Sequence, residues 1–126
     1  MTGETILIVE DEGLIALHLT ELLENAGYNI AGPAYSGERV LRDIASAPLP
    51  DLILMDIALA GSLDGIETAR QIRSKYPIPV IFLSAYSNQN RIDEAHAVSP
   101  FGYLTKPVMQ DDLLAAIRGA LDRTAA

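Results

Sequence analysis

Short apolar runs alternate with longer segments of helical periodicity along the whole chain. Thr5-Ile-Leu-Ile-Val9 is apolar on both faces, as expected of a strand covered on both sides in a parallel sheet. A first helix follows from about Glu12 to Ala26, where Gly27 stops it. Tyr28–Ala34 reads as a weaker second strand ended near Gly32-Pro33. Gly37–Ser46 then reads as a helix, with Pro48 and Pro50 marking its exit. The third strand is Asp51-Leu-Ile-Leu-Met55, ending at Asp56, and a loop through Gly61 leads to a helix over Gly65–Tyr76. Pro77 and Pro79 frame a fourth strand, Val80–Leu83, which ends at Ser84. A short helix near Asn90–Val98, a strand near Phe101–Thr105 and a last helix over about Gln110–Arg123 complete the pattern. Strands alternating with helices in this way imply right-handed βαβ units, hence an α/β fold with a parallel sheet and helices on both faces. Five such units fill 126 residues as one domain, with no linker or low-complexity tract for a second.

Composition narrows the function. The chain carries 9 Lys+Arg against 17 Asp+Glu, a net charge of −8, and the imbalance lies in its first half. Residues 1–38 hold seven acids and no Lys or Arg; through Leu63 there are ten acids and two bases, already −8. A phosphate backbone would be repelled, so nucleic acid is not expected as a partner. With 49% hydrophobic and 21% charged residues, the chain should form a globular core. It has no cysteine, hence no disulfide framework, and no apolar run near the length of a membrane span. Met1-Thr-Gly-Glu4 opens no signal peptide, and a cytoplasmic protein with no membrane contact is the expectation.

In open parallel sheets ligands bind beyond the carboxyl ends of the strands, so the residues just after each strand matter most. Here these are Glu10-Asp11-Glu12 after the first, Asp56 after the third, Ser84 after the fourth and Thr105-Lys106-Pro107 after the fifth. Taken singly, an acid or serine there is most often a helix cap or turn residue, and a lysine a solvated charge. Together they would converge on one edge of the sheet. Clustered carboxylates repel and must take up a proton or a cation. Few carboxylates, a carbonyl and water suit Mg2+. No His/Cys cluster competes, because His18 and His96 are isolated. A cation, a lysine and a hydroxyl donor together neutralise a tri-oxygen anion, which fits phosphoryl transfer with Asp56 as the nucleophile.

With these residues in place, the sequence closely resembles the receiver domains of two-component response regulators. The likeness rests on Ile8-Val-Glu-Asp-Glu12, Leu52-Ile-Leu-Met-Asp56, Asp64-Gly65, Ser84-Ala85 and Tyr103-Leu-Thr-Lys-Pro107, in the expected order over essentially the whole chain. The resemblance implies a flavodoxin-like, doubly wound five-stranded sheet of order 2-1-3-4-5, with residues 1–126 forming one receiver domain and no output domain. It implies that Asp56 accepts a phosphoryl group from a sensor histidine kinase or a histidine phosphotransfer protein. Mg2+ would be held by Asp11, Glu10, Asp56 and the main-chain carbonyl of Ala58. Lys106 would contact the phosphoryl oxygens, and Ser84 and Tyr103 would act as switch residues. The Lys106-Pro107 peptide would be cis, which only proline at 107 makes energetically accessible. Signalling would pass to a downstream protein partner, and a phosphorylation-dependent dimer is one form this could take. The chain would not be an enzyme beyond its own phosphorylation and dephosphorylation.

Two stretches depart from the common receiver pattern. The loop Ile57-Ala-Leu-Ala-Gly-Ser-Leu-Asp64 is one residue longer than usual and lacks a Met-Pro pair, and Ser99-Pro-Phe-Gly-Tyr103 replaces the usual approach to the fifth strand. Ala58 cannot orient an attacking water and Tyr86 is bulky enough to obstruct one, so slow self-hydrolysis is expected.

On the first helix, a 100° projection puts Ile15, Leu19, Leu22 and Ala26 on the core face and Leu17 almost opposite, near Glu21 and Glu24, with Leu14 and His18 on the flank. In receivers the first helix is where phosphodonors usually sit, so the resemblance implies that Leu14, Leu17, His18 and Glu21 form the docking patch for the phosphodonor, against the ordinary alternative of a stray exposed leucine. Three other functions remain open at this point. A flavodoxin-like cofactor binder would need a phosphate loop where Glu10-Asp11-Glu12 stands. An aspartate-nucleophile hydrolase would usually carry its nucleophile on the first strand. A receiver-like interaction module would act without phosphorylation.

Overall fold

A computed structural model describes residues 3–45, 48–59, 61–85, 89–98 and 100–125, with side chains as far as Arg123. Five strands, β1 (Thr5–Val9), β2 (Asn29–Ala34), β3 (Leu52–Asp56), β4 (Val80–Ser84) and β5 (Gly102–Thr105), alternate with five helices. The helices are α1 (Gly13–Asn25), α2 (Gly37–Ile44), α3 (Gly65–Arg73), α4 (Gln89–His96) and α5 (Gln110–Ala125). The strands form one sheet in the order β2-β1-β3-β4-β5, every neighbouring pair parallel. This is the doubly wound architecture that the residue pattern predicts.

Side chains alternate strictly between two cores because successive residues of a strand point to opposite faces. Val9, Ile53, Met55, Val80 and Phe82 pack on one side with residues of α2, α3 and α4. Ile6, Ile8, Leu52, Leu54, Ile81 and Leu83 pack on the other with α1 and α5. β3 and β4 are buried at every residue, which is why they read as unbroken apolar runs. β2 is an edge strand with no fully buried residue, and that position tolerates Pro33.

Most element boundaries agree with the sequence reading within a turn. α3 is shorter than expected: the helix ends at Arg73, and the Lys75 and Tyr76 amides both bond the Ile72 carbonyl in a closing turn. The core face of α1 needs correction. Ala16, Leu19 and Leu23 are buried, whereas Ile15, Leu22 and Ala26 are only partly so. Apolar residues cover more than half the circumference of this helix, so periodicity does not choose between adjacent rows. The small Ala16 lets that row approach the sheet most closely. The exposed side is as expected, with Leu14 85% and Leu17 54% exposed.

α4 has one buried side chain, Ala95. It is tied to α3 instead by Arg91, whose guanidinium lies 2.8 Å from Asp64 Oδ2. Asp64 also caps α3, its Oδ1 accepting from the Glu67 amide at 2.8 Å. Burial works against the Asp64 carboxylate, but the Glu67 amide and Arg91 outweigh it and hold its pKa below the ordinary value.

The α3 N-terminus lies directly on the end of β3. A Cβ on Gly65 would overlap the Asp56 carbonyl oxygen and stand 2.8 Å from Ile57 Cα, both backbone atoms that cannot give way. Gly65→Ala should therefore destabilise the protein by about 3 kcal/mol or more, as over-packing against rigid neighbours does. Chemical denaturation checks this, and a loss under about 1 kcal/mol would show that the helix slides without cost.

Candidate functional site

The sheet order sets the ends of β1, β3, β4 and β5 side by side, and the hydrogen bonds that continue the ladder fix their chemistry. The Glu10 amide donates to Ala34 at 2.9 Å, the Ile57 amide to Leu83 at 3.2 Å and the Lys106 amide to Ser84 at 2.8 Å. Each residue after a strand is thereby held in register. Glu10, Asp56 and Ser84 are buried, at 0%, 3% and 1% exposure, while Asp11 and Lys106 are half-buried.

Glu10, Asp11 and Asp56 each offer a carboxylate oxygen within 4.8 Å of the others. Lys106 Nζ lies 2.9 Å from Glu10 Oε1 and 3.3 Å from Asp56 Oδ1. The Ala58 amide reaches Asp56 Oδ1 at 3.3 Å, and the Glu12 amide donates to Glu10 Oε2 at 3.1 Å. Three carboxylates thus face one ammonium. Burial, then a hydrogen bond shared with Asp56, pushes the Glu10 pKa up to about 7 against the smaller pull of Lys106 and the Glu12 amide. Burial disfavours the Lys106 ammonium, yet its bonds to Glu10 and the charge of Asp56 hold its pKa above the ordinary value.

The donor set fits a hard divalent cation: it is all-oxygen and anionic, with one ammonium against three carboxylates. Glu10, Asp11 and Asp56 are the side chains that could hold it. Ala58, exposed and two residues beyond Asp56, sits beside them. A cavity of about 490 Å3 opens elsewhere, between β2 and α2, lined by Ala31, Ala34, Val40 and Ile44 among others. It contains none of the clustered acids. A hydrated ion and a phosphoryl group need only an open edge, so the acids mark the site and the cavity does not.

The other expected residues are placed as follows. Tyr103 is half-buried on β5, its ring stacked on His96 of α4 at 5.7 Å with 25° between planes. The Lys106-Pro107 peptide is cis, as is Gly32-Pro33. Leu14, Leu17, His18 and Glu21 all lie exposed on α1, away from the core. Tyr86 lies outside the described residues. Sequence reasoning set His96 aside and gave Arg91 no role. The Asp64…Glu67 spacing was a readable cap signal, whereas nothing in sequence pairs Arg91 with Asp64 or His96 with Tyr103.

Residues 6–118 match the response regulator receiver domain. The chain belongs to that family. It is 37% identical over 118 residues to the transcriptional regulatory protein PdtaR of Mycobacterium tuberculosis, covering 94% of this chain and 57% of that protein. It is 34% identical over 116 residues to the phyllosphere-induced regulator PhyR of Methylorubrum extorquens, covering 92% and 43%. The chain therefore spans about half the length of these relatives. Among solved structures, the signal receiver domain of a modulated diguanylate cyclase from Desulfovibrio desulfuricans superposes with a TM-score of 0.90 at 38% identity, over 97% of this chain and 96% of that one. The fold order 2-1-3-4-5 is that of the receiver family, as the resemblance implied. No helix among the described residues is long and apolar enough to cross a membrane.

The Glu10 shift has a consequence for stability. Its folded pKa lies above the unfolded value of 4.5, so between 4.5 and about 7 the folded state binds the extra proton. Metal-free stability then falls as pH rises through that window, by up to about 3 kcal/mol in all. Glu10→Gln, which cannot ionise, should melt close to wild type near pH 5 and clearly above it near pH 8 in chelator. A difference in melting temperature that does not change with pH would contradict the assignment.

Proposed function

We propose that this receiver domain is a phosphoacceptor that takes its phosphoryl group onto Asp56 from a phosphohistidine of a sensor histidine kinase or histidine phosphotransfer protein. The observation that carries the reading is a buried carboxylate at the end of β3 with a lysine ammonium 3.3 Å away and two further carboxylates beside it. An Asp56 oxygen forms the new bond to phosphorus as the phosphorus–nitrogen bond to the donor imidazole breaks. The imidazole leaves with a proton and Asp56 becomes an acyl phosphate. Glu10, Asp11, Asp56 and the Ala58 carbonyl would hold Mg2+, which when bound would supply the positive charge that an anionic phosphoryl group needs to approach these acids.

Lys106 then exchanges its pairing with Asp56 for the phosphoryl oxygens. The Ser84 hydroxyl donates to the same group, and Tyr103 moves off its stack on His96 as the switch propagates to the α4–β5 face. The changed face is read by a downstream protein partner or by a second copy of the chain in a phosphorylation-dependent dimer. Ala58 offers no side chain to orient water, which favours a long-lived acyl phosphate. The chain turns over no other substrate, binds no nucleic acid itself, and works in the cytoplasm, where kinases of this class keep their phosphohistidine.

Incubation with Mg2+ and acetyl phosphate should add one phosphoryl group to the intact mass of wild type and none to Asp56→Asn. An adduct on both, or on neither, would count against the reading. The exposed Leu17 supplies the second test. Leu17→Asp should lose transfer from a phosphorylated protein donor while acetyl phosphate still labels it, and equal loss from both donors would place the effect in the fold rather than in docking.

A further inference from the structure

The β3–α3 loop carries Ala58, and its sequence offers little to hold it in shape. Between Ile57 and Asp64 it contains no proline to stiffen it. Ile57 and Leu59 are buried, and the Ile57 carbonyl accepts from both Leu59 at 3.0 Å and Gly65 at 2.9 Å, which ties the two ends together. The arc between them, at Gly61–Leu63, needs an anchor from outside.

α2 provides one. Glu38, in the first turn of α2, accepts through Oε2 from the Ser62 amide at 3.1 Å and from the Ser62 hydroxyl at 3.0 Å. The Gly61 backbone, at φ 98°, lies so close that a Cβ there would stand 2.8 and 3.1 Å from the two carboxylate oxygens. The left-handed conformation favours glycine at 61, and the carboxylate rests against the space that a side chain there would take. The α2 N-terminus is itself seated firmly, since a Cβ on Gly37 would overlap Thr68 Oγ1 of α3 and stand 3.2 Å from Leu63 Cβ. The carboxylate is therefore mounted on a rigid support and grips the loop by its backbone.

We infer that Glu38 is the positioning residue of the phosphoacceptor loop: it fixes the arc over Gly61–Leu63 so that Ala58 stays beside Asp56 for cation binding. This rests on the phosphoacceptor reading for its functional half, since Glu38 touches neither Asp56 nor the acids around it. Groups that hydrogen-bond metal ligands directly are worth about 10- to 100-fold in metal affinity, and Glu38, acting one step farther out through Ser62, should fall at the low end of that range.

The test has three readouts. Mg2+ titration by calorimetry should show Glu38→Ala binding roughly tenfold more weakly than wild type, with Glu38→Gln in between because its neutral amide oxygen accepts the same two Ser62 bonds more weakly than a carboxylate does. Labelling by acetyl phosphate should recover in both variants at saturating Mg2+. Affinities within about twofold of wild type in both variants would overturn the inference. Amide hydrogen exchange on metal-free protein reads the loop directly. Ala58 and Leu59 should exchange about tenfold faster in Glu38→Gln while the β3 and β4 amides stay protected, in keeping with a local opening. Unchanged exchange at 58 and 59, or a uniform rise across the sheet, would also overturn it. Failure of Mg2+ to bind wild type at all would instead sink the phosphoacceptor reading, and the exchange contrast would still decide whether Glu38 holds the loop.

Discussion

Burying like charges beside a single ammonium is the constraint on which the rest of the site depends. Glu10 and Asp56 are almost wholly removed from water, Asp11 is close by, and Lys106 reaches both buried acids. Such a cluster is costly unless something positive completes it, and the upward push of burial on the Glu10 pKa reflects that shortfall. A cation answers the same need and brings with it the capacity to accept an anionic phosphoryl group. The acidity of the chain's first half is, at this edge, what creates the demand for a cation.

The fold makes that arrangement rigid. Because β1 and β3 are adjacent and β4 and β5 follow, the four strand ends that carry chemistry are neighbours, and β2, which carries none, is at the outside. Gly65 lets α3 start against the Asp56 backbone, Asp64 caps that helix and ties it to α4, and Glu38 secures the arc between. The reactive edge is thus braced from α2, α3 and α4. α4 itself, with one buried side chain, is the most weakly seated of these.

Much of this was legible in the sequence, and the limits have physical causes. Strands β1, β3 and β4 were plain because unbroken apolar runs are what a sheet covered on both faces demands. The residues following those strands named the site because parallel strands deliver their carboxyl ends to one edge. The row of α1 that faces the core was misjudged, since Ile15, Ala16, Leu19, Leu22 and Leu23 present a stripe too broad for periodicity to centre. Glu38 with Ser62, Arg91 with Asp64 and His96 with Tyr103 are contacts between separate elements, and side-chain type at a distance does not encode them. The depth of Glu10 was also hidden, because an acid after a strand is usually solvated.

Of the three carboxylates gathered at one edge, Asp56 alone is proposed to form the acyl phosphate while Glu10 and Asp11 hold the cation. Borohydride reduces an acyl phosphate to the alcohol, so reduction after treatment with Mg2+ and acetyl phosphate, followed by peptide mapping, marks the acceptor permanently. The account predicts homoserine at position 56 and unmodified Glu10 and Asp11. Reduction at either of those residues, or none at Asp56, would contradict it.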